Sequence, residues 1–254
     1  MTDDGLRRPR ARLGVATLAA TFGAAASIAA LGGAAADGAP NGASERRAAK
    51  TVRTLPTHKK LVALTFDAGS DTGHTKLILR VLRREKVHAS FGVTGRWVEQ
   101  NRKLTRRIAN RGHTIINHTY SHSSWTGLSA GSGLDAKARR RELKRTDRLV
   151  REFTDTRTKP WFRPPYGDFD AAALRLLAHR GYRYNVLWTV DSGGTLGLSA
   201  GAIVQRCLDQ LRRGAIYLMH VGSQSQDGPA LEPLINQLKR RGYGFATIRE
   251  ELPP

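Results

Sequence analysis

One cysteine, Cys207, stands in 254 residues, so an intramolecular disulfide framework is excluded and stability must come from packing. Cys207 reads as a small buried apolar residue in a helix, not as a nucleophile. Acidic residues are scarce: 21 Asp and Glu face 42 Lys and Arg, a formal charge of +21. Such an excess asks for an anionic partner (nucleic acid, membrane headgroups or an acidic cell-wall polymer) and says nothing about fold. Nucleic acid is disfavoured, because no helix-turn-helix, finger or RNP-type aromatic motif is present and the chain starts on an export-type segment. No internal repeat is visible. One α/β domain can absorb the whole length, and a monomer is expected.

Arg7, Arg8, Arg10 and Arg12 form a positive n-region, followed by an apolar, Ala-rich run from Leu13 to Ala36. Ala34-Ala35-Ala36 supplies small residues suited to signal-peptidase cleavage. The expectation is a signal peptide over residues 1–36, with an uncleaved anchor as its competitor. Its location is then secreted, or on the outer face of the cell membrane. Removal of this segment takes away four Arg and two Asp and leaves a formal charge of +19. Residues 37–56, rich in Gly, Ala, Arg and Lys without apolar periodicity, read as a flexible linker, and residues 57–254 as the folded domain.

Within that domain short apolar runs alternate with amphipathic stretches. The runs are Leu61–Phe66, Ala89–Val93, Thr114–Asn117, Tyr184–Val190, Ala215–Val221 and Phe245–Ile248. Helical patterns lie around Thr75–Arg84, Lys103–Ala109, Ala136–Phe153, Ala171–His179, Ala202–Leu211 and Leu231–Arg240. This alternation predicts a parallel sheet, open or closed into a barrel. Arg139–Arg148 is strongly basic, but Leu143, Val150 and Phe153 keep helical spacing, so it reads as a solvated helix face.

Residues able to do chemistry gather at the C-terminal ends of the apolar runs, where parallel α/β folds place their sites. Asp67, His118, His122, Asp191 and His220 all fall there, and Arg163 and Tyr166 come from a Pro-rich turn. His118-x-x-x-His122 can bring two imidazoles to one face of a helical turn, as a divalent metal requires, with two surface histidines as the alternative on spacing alone. A carboxylate from another strand end would complete the site, and Asp67, Asp71 and Asp191 are available. His220 beside it suits general acid work. Trp97, Trp125 and Trp188 are candidates for a sugar groove, with core packing as the alternative for each.

These residues resemble the polysaccharide deacetylase family with the NodB-type domain, carbohydrate esterase family 4. Thr65-Phe66-Asp67-Ala68-Gly69 is similar to its first motif, TFDDG. His118-Thr119-Tyr120-Ser121-His122 is similar to the second, Arg163-Pro164-Pro165-Tyr166 to the third and Leu218-Met219-His220 to the fifth. Asp191 opens a segment similar to the fourth. The resemblance implies an α/β fold, a distorted (β/α) barrel of about seven strands, and a divalent metal, zinc by preference. It also implies hydrolysis of acetamido groups on an acetylated cell-wall-type polysaccharide. By the same resemblance Asp67 is the base, oriented by Arg163. His118 and His122 hold the metal, and His220 is the acid, with Asp191 beside it. Tyr166 offers its backbone N–H to the oxyanion, and Tyr166, Pro165 and Trp188 are the expected substrate-binding residues.

Two departures from the family pattern matter. Ala68 stands where the motif has its metal-ligating second aspartate, and Asp71 is the substitute in reach. Gly194 and Thr195 stand where the fourth motif has the Asp-Trp pair that tunes the acidic histidine, and Asp227 is the candidate replacement. Two readings follow. The leading one is a metal-dependent polysaccharide N-deacetylase. The alternative is a polysaccharide-binding protein of the same fold with an impaired metal site.

Overall fold

A computed structural model describes residues 48–254. The expected leader, 1–36, and most of the expected linker lie outside these residues. The strands are β1 (Lys50–Val52), β2 (Leu61–Ala68), β3 (Ser90–Val93), β4 (Thr114–Asn117), β5 (Trp161–Phe162), β6 (Tyr184–Val186), β7 (Val190–Asp191), β8 (Ile216–His220) and β9 (Gly244–Phe245). The helices are α1 (Thr75–Glu85), α2 (Gly95–Gln100), α3 (Arg102–Asn110), α4 (Ala136–Phe153), α5 (Ala171–His179), α6 (Ala200–Asp209), α7 (Asp227–Arg240) and α8 (Ile248–Glu251).

The strands form one sheet in the order β1-β6-β5-β4-β3-β2-β8-β7, with β9 on β2. Every strand pair is parallel. The sheet curls without closing, because its outer strands β1 and β7 do not pair with each other. Backbone beyond β1 reaches the start of β8 instead: Leu55 N donates to Gly214 O at 2.8 Å, and Thr54 bridges Ala215. The result is an α/β half-barrel flanked by helices, the distorted NodB-type barrel expected.

Strand alternation sorts β2 into two faces. Val62, Leu64, Phe66 and Ala68 point outward into the main apolar layer, with Ile78 and Leu82 of α1, Val150 of α4, Ile203 of α6 and Leu234 of α7. Ala63 points inward with Ile116, Trp161, Val186 and Ile216. A full side chain here, such as Leu82, contributes roughly 2–5 kcal/mol against truncation to Ala. Helix starts follow the local chemistry: the side chains of Asp135, Asp170 and Ser199 cap α4, α5 and α6 by accepting from backbone N–H groups. Among the described residues no helix is long and apolar enough to cross a membrane.

Three expectations change. The linker does not extend to residue 56, because β1 pairs with β6 and Val52 and Leu55 are buried. The run Tyr184–Val190 is two strands: β6 sits beside β5, and β7 sits at the far edge beside β8. Phe245–Ile248 ends as a strand at Phe245, since Thr247 and Glu250 form a capping box that starts α8.

Candidate functional site

The C-terminal ends of the strands surround a pocket of about 620 Å³. Asp67, His118, His122, Tyr166, Trp188, Asp191 and His220 all line it. Convergence of strand ends expected from the alternation is therefore present. Arg163 lies beneath the pocket wall, fully buried, and Pro165 is buried beside Pro164, which lines the pocket in its place. Trp97 and Trp125 are core residues, so of the three tryptophans considered for a groove only Trp188 reaches the pocket.

Asp67 ends the inward face of β2, opposite Gly92 on β3. A side chain at Gly92 would overlap Asp67 Oδ1, so the small residue is what lets the carboxylate lie there. Arg163 holds that oxygen through Nη1 at 2.8 Å. The remaining guanidinium donors reach Val186 O at 3.1 Å and Thr65 Oγ1 at 2.9 Å. Thr65 in turn donates to Tyr217 O at 2.5 Å. A buried cation thus finds one carboxylate and several neutral acceptors, the condition under which burial of an ion pair is tolerated. Burial opposes the Asp67 charge, but Arg163, His118 and His220 outweigh it and hold the carboxyl below its ordinary value.

The histidine loop is fixed from below. Asn117 at the end of β4 accepts from Thr119 N at 3.0 Å and donates to Tyr182 Oη at 2.7 Å and Leu143 O at 3.1 Å. Glu142 of α4 accepts from the backbone N–H groups of Tyr120 at 2.8 Å and Ser121 at 2.7 Å. Asp168 accepts from Ser124, from the Thr126 hydroxyl and from Thr126 N. These clamps let the loops carry non-glycine residues in the left-handed region: Thr119 at φ 65°, His122 at 63° and Tyr166 at 60°. Such conformations are uncommon and persist where surrounding contacts over-determine them. Asn117, Glu142 and Asp168 escaped the sequence reading; Glu142 is one of three acids on α4, and no local pattern sets it apart from Asp147 and Glu152.

His118 Nδ1 faces Arg163 O at 2.9 Å, and its Nε2 faces Asp67 Oδ2 at 3.4 Å. The His122 ring stands edge-on to His118 with centroids 4.8 Å apart, and the Tyr166 ring packs on its other side at 4.8 Å. Burial keeps both histidines neutral: His118 is lowered, and His122 falls to about 4, with the neighbouring His118 adding to the effect.

A third ligand is missing. Asp71 is exposed and turned outward, its carboxylate accepting from Ser223 N at 2.9 Å and Ser223 Oγ at 2.6 Å. Asp191 accepts from Gly193 N at 2.8 Å. Asp67 is tied to Arg163, and Ala68 points into the outer apolar layer. Among the described residues no group of three His, Cys, Asp or Glu side chains is arranged to hold a metal ion. The residues present therefore do not fit the zinc site that the resemblance implied.

His220, at the end of β8, meets a carboxylate that comes from outside the fourth motif. Asp227 Oδ2 lies 3.7 Å from His220 Nδ1 and accepts from His220 N at 2.7 Å and Ser225 Oγ at 2.8 Å. Burial pulls the imidazole down, but Asp227, Asp67 and Asp191 outweigh it and the net shift is upward.

Comparison with known proteins agrees with this geometry. The model of the polysaccharide deacetylase family matches residues 54–185. The peptidoglycan-N-acetylmuramic acid deacetylase PdaA of Bacillus subtilis is 32% identical over 76% of this chain and 71% of its own. A family 4 carbohydrate esterase pseudoenzyme from Bacillus anthracis has a similar structure: TM-score 0.73 and 27% identity, over 82% of this chain and 70% of that one. A mutant of that pseudoenzyme with restored enzymatic activity aligns with the same TM-score, 0.73, at 28% identity over 82% of this chain and 73% of that one. Together with the missing third ligand, this overturns the leading expectation of an active metal-dependent N-deacetylase. What the family generally does with a bound metal, these residues are not arranged to do. The fold, the ordered motifs and the matched relatives settle the lineage: the chain belongs to the polysaccharide deacetylase family.

Proposed function

We propose that the chain is a polysaccharide-binding protein on the deacetylase fold, holding an acetylated cell-wall-type glycan without efficient metal-dependent hydrolysis. One observation carries this reading: among the described residues no third side chain joins His118 and His122 in a metal-holding group, with Asp67 Oδ1 tied to Arg163 and Asp71 turned to Ser223. The ligand class is supported by relatives named as deacetylases of peptidoglycan N-acetylmuramic acid and N-acetylglucosamine. Export, read from residues 1–36, would bring the chain to such a polymer, and its positive charge suits a wall that also carries anionic chains.

In this reading the pocket keeps the family's sugar-facing parts. Trp188 offers an aromatic face, and Gly167, at φ 72°, leaves space against the indole that a side chain would narrow to 3.0 Å. Tyr166, half exposed, closes the other wall over His122. Asp67 and Asp191 remain as acceptors for hydroxyl or amide hydrogens, and His220 as a donor. Calorimetric titration of the full chain with a soluble N-acetylglucosamine oligomer tests the proposal. Binding should be saturable, and Trp188→Ala should weaken it by about tenfold, the scale of one well-packed anchor. Absence of binding, or binding indifferent to Trp188, contradicts the reading.

A further inference from the structure

The outer face of α4 carries a straight row of cations. Lys137, Arg141, Lys144, Arg148 and Arg151 recur at helical spacing and are all exposed. Fourteen residues at 1.5 Å each give the row a length of about 21 Å, with about one cation per turn. Among the described residues none of the five has a carboxylate within ion-pairing distance. Glu152 on the same helix is exposed and makes no ion pair with any of them, and other acids beside them are already engaged. Glu142 accepts from the backbone of Tyr120 and Ser121, and Glu99 accepts from Tyr120 Oη at 2.8 Å and pairs with Arg145 at 3.4 Å.

Hollows flank the row on both sides. One, of about 360 Å³, is lined by Arg141, Lys144 and Arg148 together with Tyr120. The other, of about 340 Å³, is lined by Lys144, Arg148 and Arg151. Five unpaired like charges held in register repel one another, and a counter-charge from outside relieves that repulsion.

We propose that this face of α4 is a docking surface for a base-free phosphodiester polymer, poly(glycerol phosphate). Three observations choose the occupant. A neutral acetylated glycan offers the cations nothing. Nucleic acid would use a free aromatic platform, but of the two rings lining the hollows Tyr120 is covered by the Arg145 guanidinium at 3.6 Å and Tyr182 is buried. A membrane surface would need apolar residues beside the cations, whereas Leu143, Leu149, Val150 and Phe153 all face the core. The surface is separate from the pocket and stands whether or not the pocket binds glycan.

The test uses the full chain, with poly(glycerol phosphate) and single-stranded poly(dT) as probes at several salt concentrations. The wild type should bind poly(glycerol phosphate) more tightly than poly(dT), with affinity falling steeply as salt rises. Arg141→Glu/Lys144→Glu/Arg148→Glu should lose at least about tenfold. Lys76→Glu/Arg80→Glu/Arg83→Glu on α1 changes the net charge equally and should lose far less. If the first triple fails to fold, Arg141→Gln/Lys144→Gln/Arg148→Gln should lower the salt slope by about two to three, close to one per contact removed. Equal losses in the two triples, no loss in either, no binding by the wild type, or tighter binding of poly(dT) would each overturn the proposal.

Discussion

The carboxylate of Asp227 occupies the space into which a side chain at position 194 would project. A Cβ on Gly194 would overlap Asp227 Oδ2 and Ser225 Oγ. Gly194 is where the family's fourth motif carries an aspartate, and Asp227 begins α7, 33 residues further along. One buried carboxylate beside His220 is thus delivered from a different element, and the glycine is what makes room for it.

If the two positions share one space, they should fail additivity. Gly194→Asp alone should destabilise by about 2–4 kcal/mol, through overpacking and a second buried negative charge. Adding Asp227→Ala should recover at least about 1 kcal/mol of that loss. Chemical denaturation of the two single variants and the double variant measures the coupling, and simple additivity would refute shared occupancy.

Asp227 should also set the titration of His220. The imidazole is raised in the folded chain, so its contribution to stability is complete below its ordinary value near 6.5 and is lost as pH rises through the folded value. Asp227→Asn should drop that folded value, because burial then acts with less opposition. A nitrogen-detected NMR titration of His220 reads the change directly. An unmoved midpoint would mean that Asp67 and Asp191 alone govern the ring.

Acid should act on the fold through the opposite kind of histidine. His113 is 6% exposed, accepts from Ala89 N through Nδ1 at 3.2 Å, and is lowered by burial to about 4. The unfolded chain therefore binds a proton between about 6.5 and 4 that the folded chain refuses, and stability declines as pH falls through that window. A shift of this size is worth roughly 3 kcal/mol at its lower end. His113→Gln should flatten the decline while lowering stability near neutrality. Parallel stability–pH curves for variant and wild type would remove His113 as the cause.

Much of the fold was legible because long elements carry strong periodicity. Ala136–Phe153 and Ala171–His179 are helices with the expected bounds, since their apolar positions repeat and aspartates cap them. β1 was hidden: Lys50-Thr51-Val52 offers one buried apolar side chain, and its pairing with β6 is a tertiary choice that no local pattern announces. The strand-end rule found the pocket, because alternation forces Asp67 inward once Phe66 faces the helices. The same alternation sends Ala68 outward, and the turn after Gly69 carries Asp71 to Ser223. Spacing along the chain placed Asp71 near the histidines; only the loop's path shows that its carboxylate turns away. Glu142 and Asp168 were illegible for a related reason, since each acts on a loop more than twenty residues distant.

The central claim is that this pocket lacks the third ligand needed for a working metal site. Zinc titration of the purified full chain, read with deacetylation of a soluble N-acetylglucosamine oligomer in the same samples, tests it most directly. The account predicts weak zinc binding, well below one tight equivalent, with no acetate released above the buffer rate at any zinc concentration. One tightly bound zinc, accompanied by acetate release, with both abolished in a His118→Ala/His122→Ala variant, would contradict it.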